Sequence, residues 1–265
     1  MSNRLLERLS FVTANAEHVT HEVVLLNFTV VNAFLVGDPF ADSKDFILVD
    51  TGMENSFKFI LEAVNKHYGK GIRPRCIVLT HGHFDHVGSV IRLAEYWDVP
   101  VYVHELELPY VTGKKDYPLA DPTVGGKIAE MSPTFPNTSI DLGERVRILP
   151  KDGKVPGIPG WRWIHTPGHT EGHISLFHPI DRVLIAGDAL STTKQESLTS
   201  VITRKQEISG PPAYLTEDWN KALNSIRHLQ SLEPVIVLSS HGKPLRGLKV
   251  KEHLDMLVSK IEKML

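Results

Sequence analysis

His81-Gly82-His83-Phe84-Asp85-His86 places three imidazoles and a carboxylate within six residues, directly after the apolar run Cys76-Ile77-Val78-Leu79. Neutral imidazole with carboxylate suits Zn, Fe, Mn or Co far better than Ca or Mg. Donors packed this densely at the end of a strand face one another across a tight loop. The loop has donors for two ions, His81 and His83 for one, Asp85 and His86 for the other. The whole chain has 14 His in 265 residues, so chance does not supply three in six. The stretch is read as a metal site.

The bulk composition is that of an ordinary folded protein, 42% hydrophobic and 23% charged. A formal net charge of -2 gives the whole molecule no attraction to nucleic acid or to an anionic membrane. The single cysteine, Cys76, has no internal partner for a disulfide and is expected in a buried strand. Met1 to Phe11 carries Arg4, Glu7 and Arg8 and has no apolar core of the kind an export signal needs. No run approaches the length of a membrane span. A cytoplasmic protein acting on a small molecule, without nucleic-acid or membrane partners, is expected; oligomeric state is not readable.

Outward from the loop, strands alternate with helices. Glu22–Phe28, Thr29–Val36 and Phe46–Val49 read as strands, the third ending at Asp50-Thr51-Gly52. A helix follows in which Phe57, Ile60, Leu61, Val64 and Tyr68 share a face, with Gly69 at its C-terminal end. Arg75–Thr80 is the strand that feeds the loop, and a helix from His86 to about Trp97 is expected to bury Val90, Ile91, Leu93 and Ala94. Pro100–His104 is the next strand. Residues 105–140 are turn-rich and read as an inserted loop or lid within a single domain spanning 1–265. Strands return at Arg145–Leu149, Trp161–His165, His173–Phe177, Arg182–Ala186 and Pro234–Leu238. Two amphipathic helices carry Trp219, Leu223, Ile226 and Leu229, then Val250, Leu254, Leu257 and Ile261, as core faces. The fold class is α/β, with two similar halves that suggest a two-sheet sandwich flanked by helices.

Further His and Asp residues recur where strands end: His169 in Pro167-Gly168-His169-Thr170, Asp188 after Gly187, His241 after Ser239-Ser240, and Asp50 after Val49. With the loop at 81–86, this ordered set resembles the metallo-β-lactamase-fold superfamily over most of the chain, in its glyoxalase II or lactonase-like branch. The resemblance implies a four-layer αββα sandwich with a dinuclear metal site. It implies that His81, His83 and His169 bind one ion, that Asp85, His86 and His241 bind the second, and that Asp188 bridges them. Asp50 is implied behind a ligand histidine, holding its other ring nitrogen. Two divalent ions about 3.5–4 Å apart share one hydroxide and polarise a scissile carbonyl, while Asp85 or Asp188 passes a proton to the leaving group. Zn suits the donors best, with Fe or Mn as alternatives.

His241 continues as Gly242-Lys243-Pro244, where glyoxalase II enzymes continue His-Glu-Tyr. Asp188 is followed by Ala189-Leu190-Ser191-Thr192-Thr193, where many lactonases place a Tyr. The expected activity is hydrolysis of a small ester, lactone or thioester. The alternatives are a phosphodiesterase or nuclease on the same scaffold, and a mononuclear iron dioxygenase of sulfur compounds. His165, His173 and His178 are expected to be structural, with His173 hydrogen-bonded inside the Gly-His-Thr turn. His18, His21, His67, His228 and His253 are expected to be bystanders.

Overall fold

The computed structural model describes residues 14–265, so the stretch Met1–Phe11 lies outside the described residues. The chain divides into two compact units. One takes in the chain up to Tyr117 together with Pro136–Pro159; the other takes in Pro118–Phe135 together with Gly160–Leu265.

The first unit is built on a seven-stranded sheet in sequence order, β1 (Asn15–His18), β2 (Val23–Asn27), β3 (Asn32–Val36), β4 (Ile47–Val49), β5 (Ile77–Val78), β6 (Val101–Val103) and β7 (Val146–Ile148). β1 to β4 run antiparallel, and β4 to β7 run parallel. Every residue of β2, β3, β4 and β5 is buried, which is why these strands read as continuous apolar runs rather than alternating ones. β1 has no such run; its NAEH sequence is mostly exposed, and its pairing with β2 carries no apolar signal.

Helix α1 (Phe57–His67) buries Phe57, Ile60 and Val64 as their spacing predicts, together with Ala63, while Leu61 of the expected face is half-buried. Tyr68 closes it, stacked on Phe46 at 3.8 Å and donating its hydroxyl to the Gly37 carbonyl at 2.7 Å. The helix expected over His86–Trp97 is instead two pieces, α2 (Phe84–Val87) and α3 (Val90–Trp97). Tertiary hydrogen bonds make the break. The Gly88 N–H donates to the Gly52 carbonyl at 2.9 Å, and the Ser89 hydroxyl donates to the Met53 carbonyl at 2.7 Å. The break also turns Ile91, expected in the core, to the surface at 40% exposure.

Residues 105–140 carry more regular structure than their turn-rich sequence suggests. The first unit holds a 3-10 turn at Glu105–Glu107 and α4 (Leu108–Val111); the second holds α5 (Lys127–Met131) between 3-10 turns at Pro122–Val124 and Ser132–Thr134. Prolines stand at the first positions of three of these pieces, where the missing N–H costs no hydrogen bond.

The second unit has a five-stranded sheet in the order β12-β11-β10-β9-β8, with β8 (Arg162–His165), β9 (Ile174–His178), β10 (Val183–Gly187), β11 (Ile236–Ser239) and β12 (Leu245–Arg246). Only β10 and β11 pair in parallel. Helices α6 (Leu198–Thr203), α7 (Trp219–Ser231) and α8 (Lys249–Met264) complete it. The Asp218 carboxylate caps α7 by accepting from the Lys221 N–H at 2.9 Å. Leu223, Ile226 and Leu229 of α7 join Val250, Leu254, Leu257 and Ile261 of α8 in one core with Leu184 and Val237 of the sheet. Each such side chain contributes about 1.5–3 kcal/mol by leaving water. Short β12 and α6 escape periodicity because neither spans two turns of pattern.

Candidate metal centre

The candidate ligands fall into two sets, one per unit. In the first unit, β4 and β5 are parallel neighbours, and both deliver polar residues at their C-terminal ends, where open α/β sheets build sites. β4 delivers Asp50, whose backbone takes the left-handed conformation (φ 58°) that Asp tolerates better than most residues. β5 delivers Thr80 and then the loop at 81–86. Asp50, His81 and His86 are fully buried, with His83 and Asp85 at 4% and 8% exposure.

Asp50 organises this set. One carboxylate oxygen accepts from the Thr80 N–H at 2.8 Å; the other accepts the Thr80 hydroxyl at 2.8 Å and faces His86 Nδ1 at 2.8 Å. The Thr80 hydroxyl also lies 3.1 Å from His81 Nδ1. Both imidazoles therefore have Nδ1 engaged from behind, which presents Nε2 as the coordinating nitrogen. His81 Nε2 lies 2.9 Å from His83 Nδ1, two ring nitrogens brought together with no backbone group between them. Thr51 fixes the other end of the loop, its N–H and hydroxyl donating to the His86 carbonyl at 2.8 and 2.7 Å. Thr80 and Thr51 were not singled out in the sequence, although each directly adjoins a residue that was.

In the second unit, His169 follows β8, Asp188 follows β10 and His241 follows β11; all three are 1–2% exposed. A register shift between Ile185 and Gly187 leaves Ala186 as an extra residue before Gly187 pairs with Ser239, just ahead of Asp188. Gly187 sits at φ 58°, and a Cβ there would fall 2.6 Å from His173 Nε2. That ring nitrogen instead accepts the Asp188 N–H at 2.8 Å, while His173 Nδ1 lies 2.9 Å from the Thr166 hydroxyl. His173 is thus the backrest of Asp188, bonded to the segment after β10 and to Thr166 ahead of the Gly-His-Thr turn rather than inside it. His241 is held through its backbone: its N–H donates to the Ser239 hydroxyl at 3.0 Å, and its carbonyl accepts from the Thr192 N–H at 3.0 Å.

One oxygen of Asp188 meets two imidazoles. Oδ2 is 3.4 Å from His169 Nε2 and 3.2 Å from His241 Nε2. Two donors about 2.0–2.1 Å from a tetrahedral ion stand roughly 3.3 Å apart. The donor chemistry and these spacings fit divalent metal, and a single carboxylate oxygen shared by two imidazoles fits a bridging ligand.

The other polar candidates lie elsewhere. His165 Nε2 donates to the Glu171 carbonyl at 2.9 Å, and His178 pairs with Asp181 at 3.2 Å against the buried Trp161 ring. His104 accepts from the Leu106 N–H and caps the turn at 105–107. Burial pushes the Cys76 thiol up to about 12, and its Sγ lies 3.3 Å from the Pro156 carbonyl. A cavity of about 640 Å³ opens in the second unit beside Gly126, Ser197, Trp219 and Ile261, and no candidate ligand lines it. Among the described residues, no helix is long and apolar enough to cross a membrane.

Two mixed sheets carrying helices, with histidines and aspartates grouped at strand ends, define an α/β protein built to hold metal. The model of the metallo-β-lactamase superfamily matches residues 26–241, and the chain belongs to that superfamily. It is 45% identical over 237 residues to the probable metallo-hydrolase YflN of Bacillus subtilis (strain 168), covering 89% of each chain. The crystal structure of the BLEG-1 B3 metallo-β-lactamase shares the fold, with a TM-score of 0.60 at 23% identity over 86% of this chain and 94% of that one. TTHA1623, solved in a di-iron-bound form, matches with a TM-score of 0.51 at 26% identity over 89% and 94%. The α/β metallo-β-lactamase fold expected from the sequence is the fold observed.

Proposed function

We propose that this metal-dependent hydrolase works as a dinuclear enzyme on a small ester, lactone or thioester. His81, His83 and His169 would hold one ion, Asp85, His86 and His241 the other, and Asp188 both. The observation that carries this reading is the Asp188 carboxylate oxygen placed between two imidazoles, at 3.4 Å from His169 and 3.2 Å from His241.

When bound, the ions supply a Lewis acid for the scissile carbonyl and lower the pKa of water towards 7. The chain's own residues do the rest. Asp50 and Thr80 hold the His81 and His86 rings in one tautomer, so no reorganisation is needed during turnover. His173 fixes the backbone of Asp188. Asp85 is the carboxylate that solvent reaches most, its side chain 11% exposed against 3% for Asp188. It is placed to hand a proton to the departing oxygen or sulfur.

Zn suits nitrogen and carboxylate donors in four- or five-coordinate sites. Iron is the second reading, favoured by the di-iron form of TTHA1623. Metal analysis of the purified chain, paired with a panel of p-nitrophenyl esters, lactones, thioesters and bis-(p-nitrophenyl) phosphate, tests the reading. Carbonyl-ester turnover that chelation abolishes and divalent metal restores supports it. Turnover confined to the phosphodiester, or full activity after metal stripping, overturns it.

A further inference from the structure

Behind the metal loop stand two buried polar side chains that are not candidate ligands. Glu107 ends the 3-10 turn after β6 and is fully buried; Tyr117 follows α4 and is 4% exposed. Both reach the same backbone atom. The Gly82 N–H lies 3.0 Å from Glu107 Oε2 and 2.9 Å from the Tyr117 hydroxyl oxygen, and the Tyr117 hydroxyl donates to that same Glu107 oxygen. Burial, then the Glu107 carboxylate, push the Tyr117 hydroxyl well above its usual range, so it remains a donor. The Tyr117 ring lies 4.3 Å from the His83 ring and stacks on Tyr110 at 4.0 Å, only 7° from parallel. A Cβ at position 82 would fall 2.7 Å from the Tyr117 hydroxyl oxygen, so the middle residue of His81-Gly82-His83 is glycine for contact reasons.

A carboxylate this deep costs stability, and a hydrophobic residue of similar volume would fill the same space more cheaply. What Glu107 and Tyr117 supply that packing cannot is direction. They grip the Gly82 N–H, in the peptide that follows the first of two candidate ligands, and they set a ring wall against the second. We propose that Glu107 and Tyr117 are positioning residues, fixing the peptide between His81 and Gly82 so that the His81 and His83 imidazoles present their nitrogens to one ion. The inference rests on the reading of His81 and His83 as ligands of the same metal.

Cobalt(II) titration of the metal-free chain, wild type against Tyr117→Phe and Glu107→Gln, tests it. Tyr117→Phe keeps the ring on His83 and removes only the hydroxyl; Glu107→Gln keeps an acceptor and removes the charge. The expected result is a roughly 10–100-fold weaker first cobalt equivalent in both variants and a changed visible d–d spectrum, the size usual for groups that orient ligands. kcat falls while KM holds, and the melting temperature of the metal-free protein moves little. Wild-type cobalt affinity and spectrum in both variants overturn the inference, even where thermal stability drops. Should Glu107→Gln not fold, Tyr117→Phe decides alone. A wild-type chain that takes up no cobalt overturns the metal reading and this inference with it; normal wild-type uptake beside unchanged variants overturns this inference only.

Discussion

The two units furnish ligands in opposite ways. The first compresses four candidates into residues 81–86, with Asp50 holding His86 directly and His81 through Thr80, and His83 against the His81 ring. The second draws one residue from each of three strand ends, at 169, 188 and 241; Asp188 and His241 are braced through backbone contacts to His173, Ser239 and Thr192, and the His169 ring meets the Thr216 hydroxyl at 3.4 Å. A carboxylate and hydroxyls pin rings in the first; in the second, one carboxylate, Asp188, meets both imidazoles. The first set tolerates little change in side-chain partners, while the second depends on a single residue and on the path of its backbone.

The largest effect should follow from removing that single residue. Asp188→Ala is expected to cost at least about 100–1,000-fold in kcat for an activated ester, the scale of losing a principal electrostatic element of a site. A variant that retains tenfold-reduced activity would mean that the second unit does not hinge on its carboxylate. Next come the supports. Asp50→Asn should weaken metal binding by roughly 10–100-fold, because His86 loses a charged acceptor for Nδ1. His173→Gln should fall at the low end of the same range, about tenfold, because it touches only the Asp188 backbone. Chelator competition on both variants measures the difference; the reverse order would break the contrast drawn above.

Backbone strain gives a smaller effect. Gly187→Ala places a Cβ at φ 58° and into the His173 ring, and should cost about 1–2 kcal/mol in urea unfolding from the left-handed backbone alone. The smallest concerns Cys76 in β5's lead-in. Its thiol is raised from 9.0 to about 12 by burial. A raised thiol pKa leaves stability intact below pH 9 and erodes it as pH climbs towards 12. Iodoacetamide at pH 8 should therefore leave the native chain unmodified and react only after unfolding.

The contrast also explains what the sequence made legible. The 81–86 loop announces itself because density in sequence is density in space, and the parallel strands show because burial on both faces leaves apolar runs. His169, Asp188 and His241 are legible only through their recurrence at strand ends, since nothing local marks them. Thr80, Thr51 and Glu107 were hidden for a different reason, and so was the hydrogen-bonding role of Tyr117. Their work is hydrogen bonding to a loop distant in sequence, and no spacing encodes that. The α2–α3 break belongs with them: an apolar pattern continuous from Val87 to Trp97 gives no warning that Gly88 and Ser89 bond to residues 52 and 53. β1 and β12 carry too few apolar residues to be seen.

Metal counting tests the proposed dinuclear centre most directly. Quantitative elemental analysis of the metal-replete chain, with activity followed as metal is titrated into the stripped protein, should give two divalent ions per chain and turnover that rises with the second equivalent. One ion per chain with full activity, or none, would contradict it.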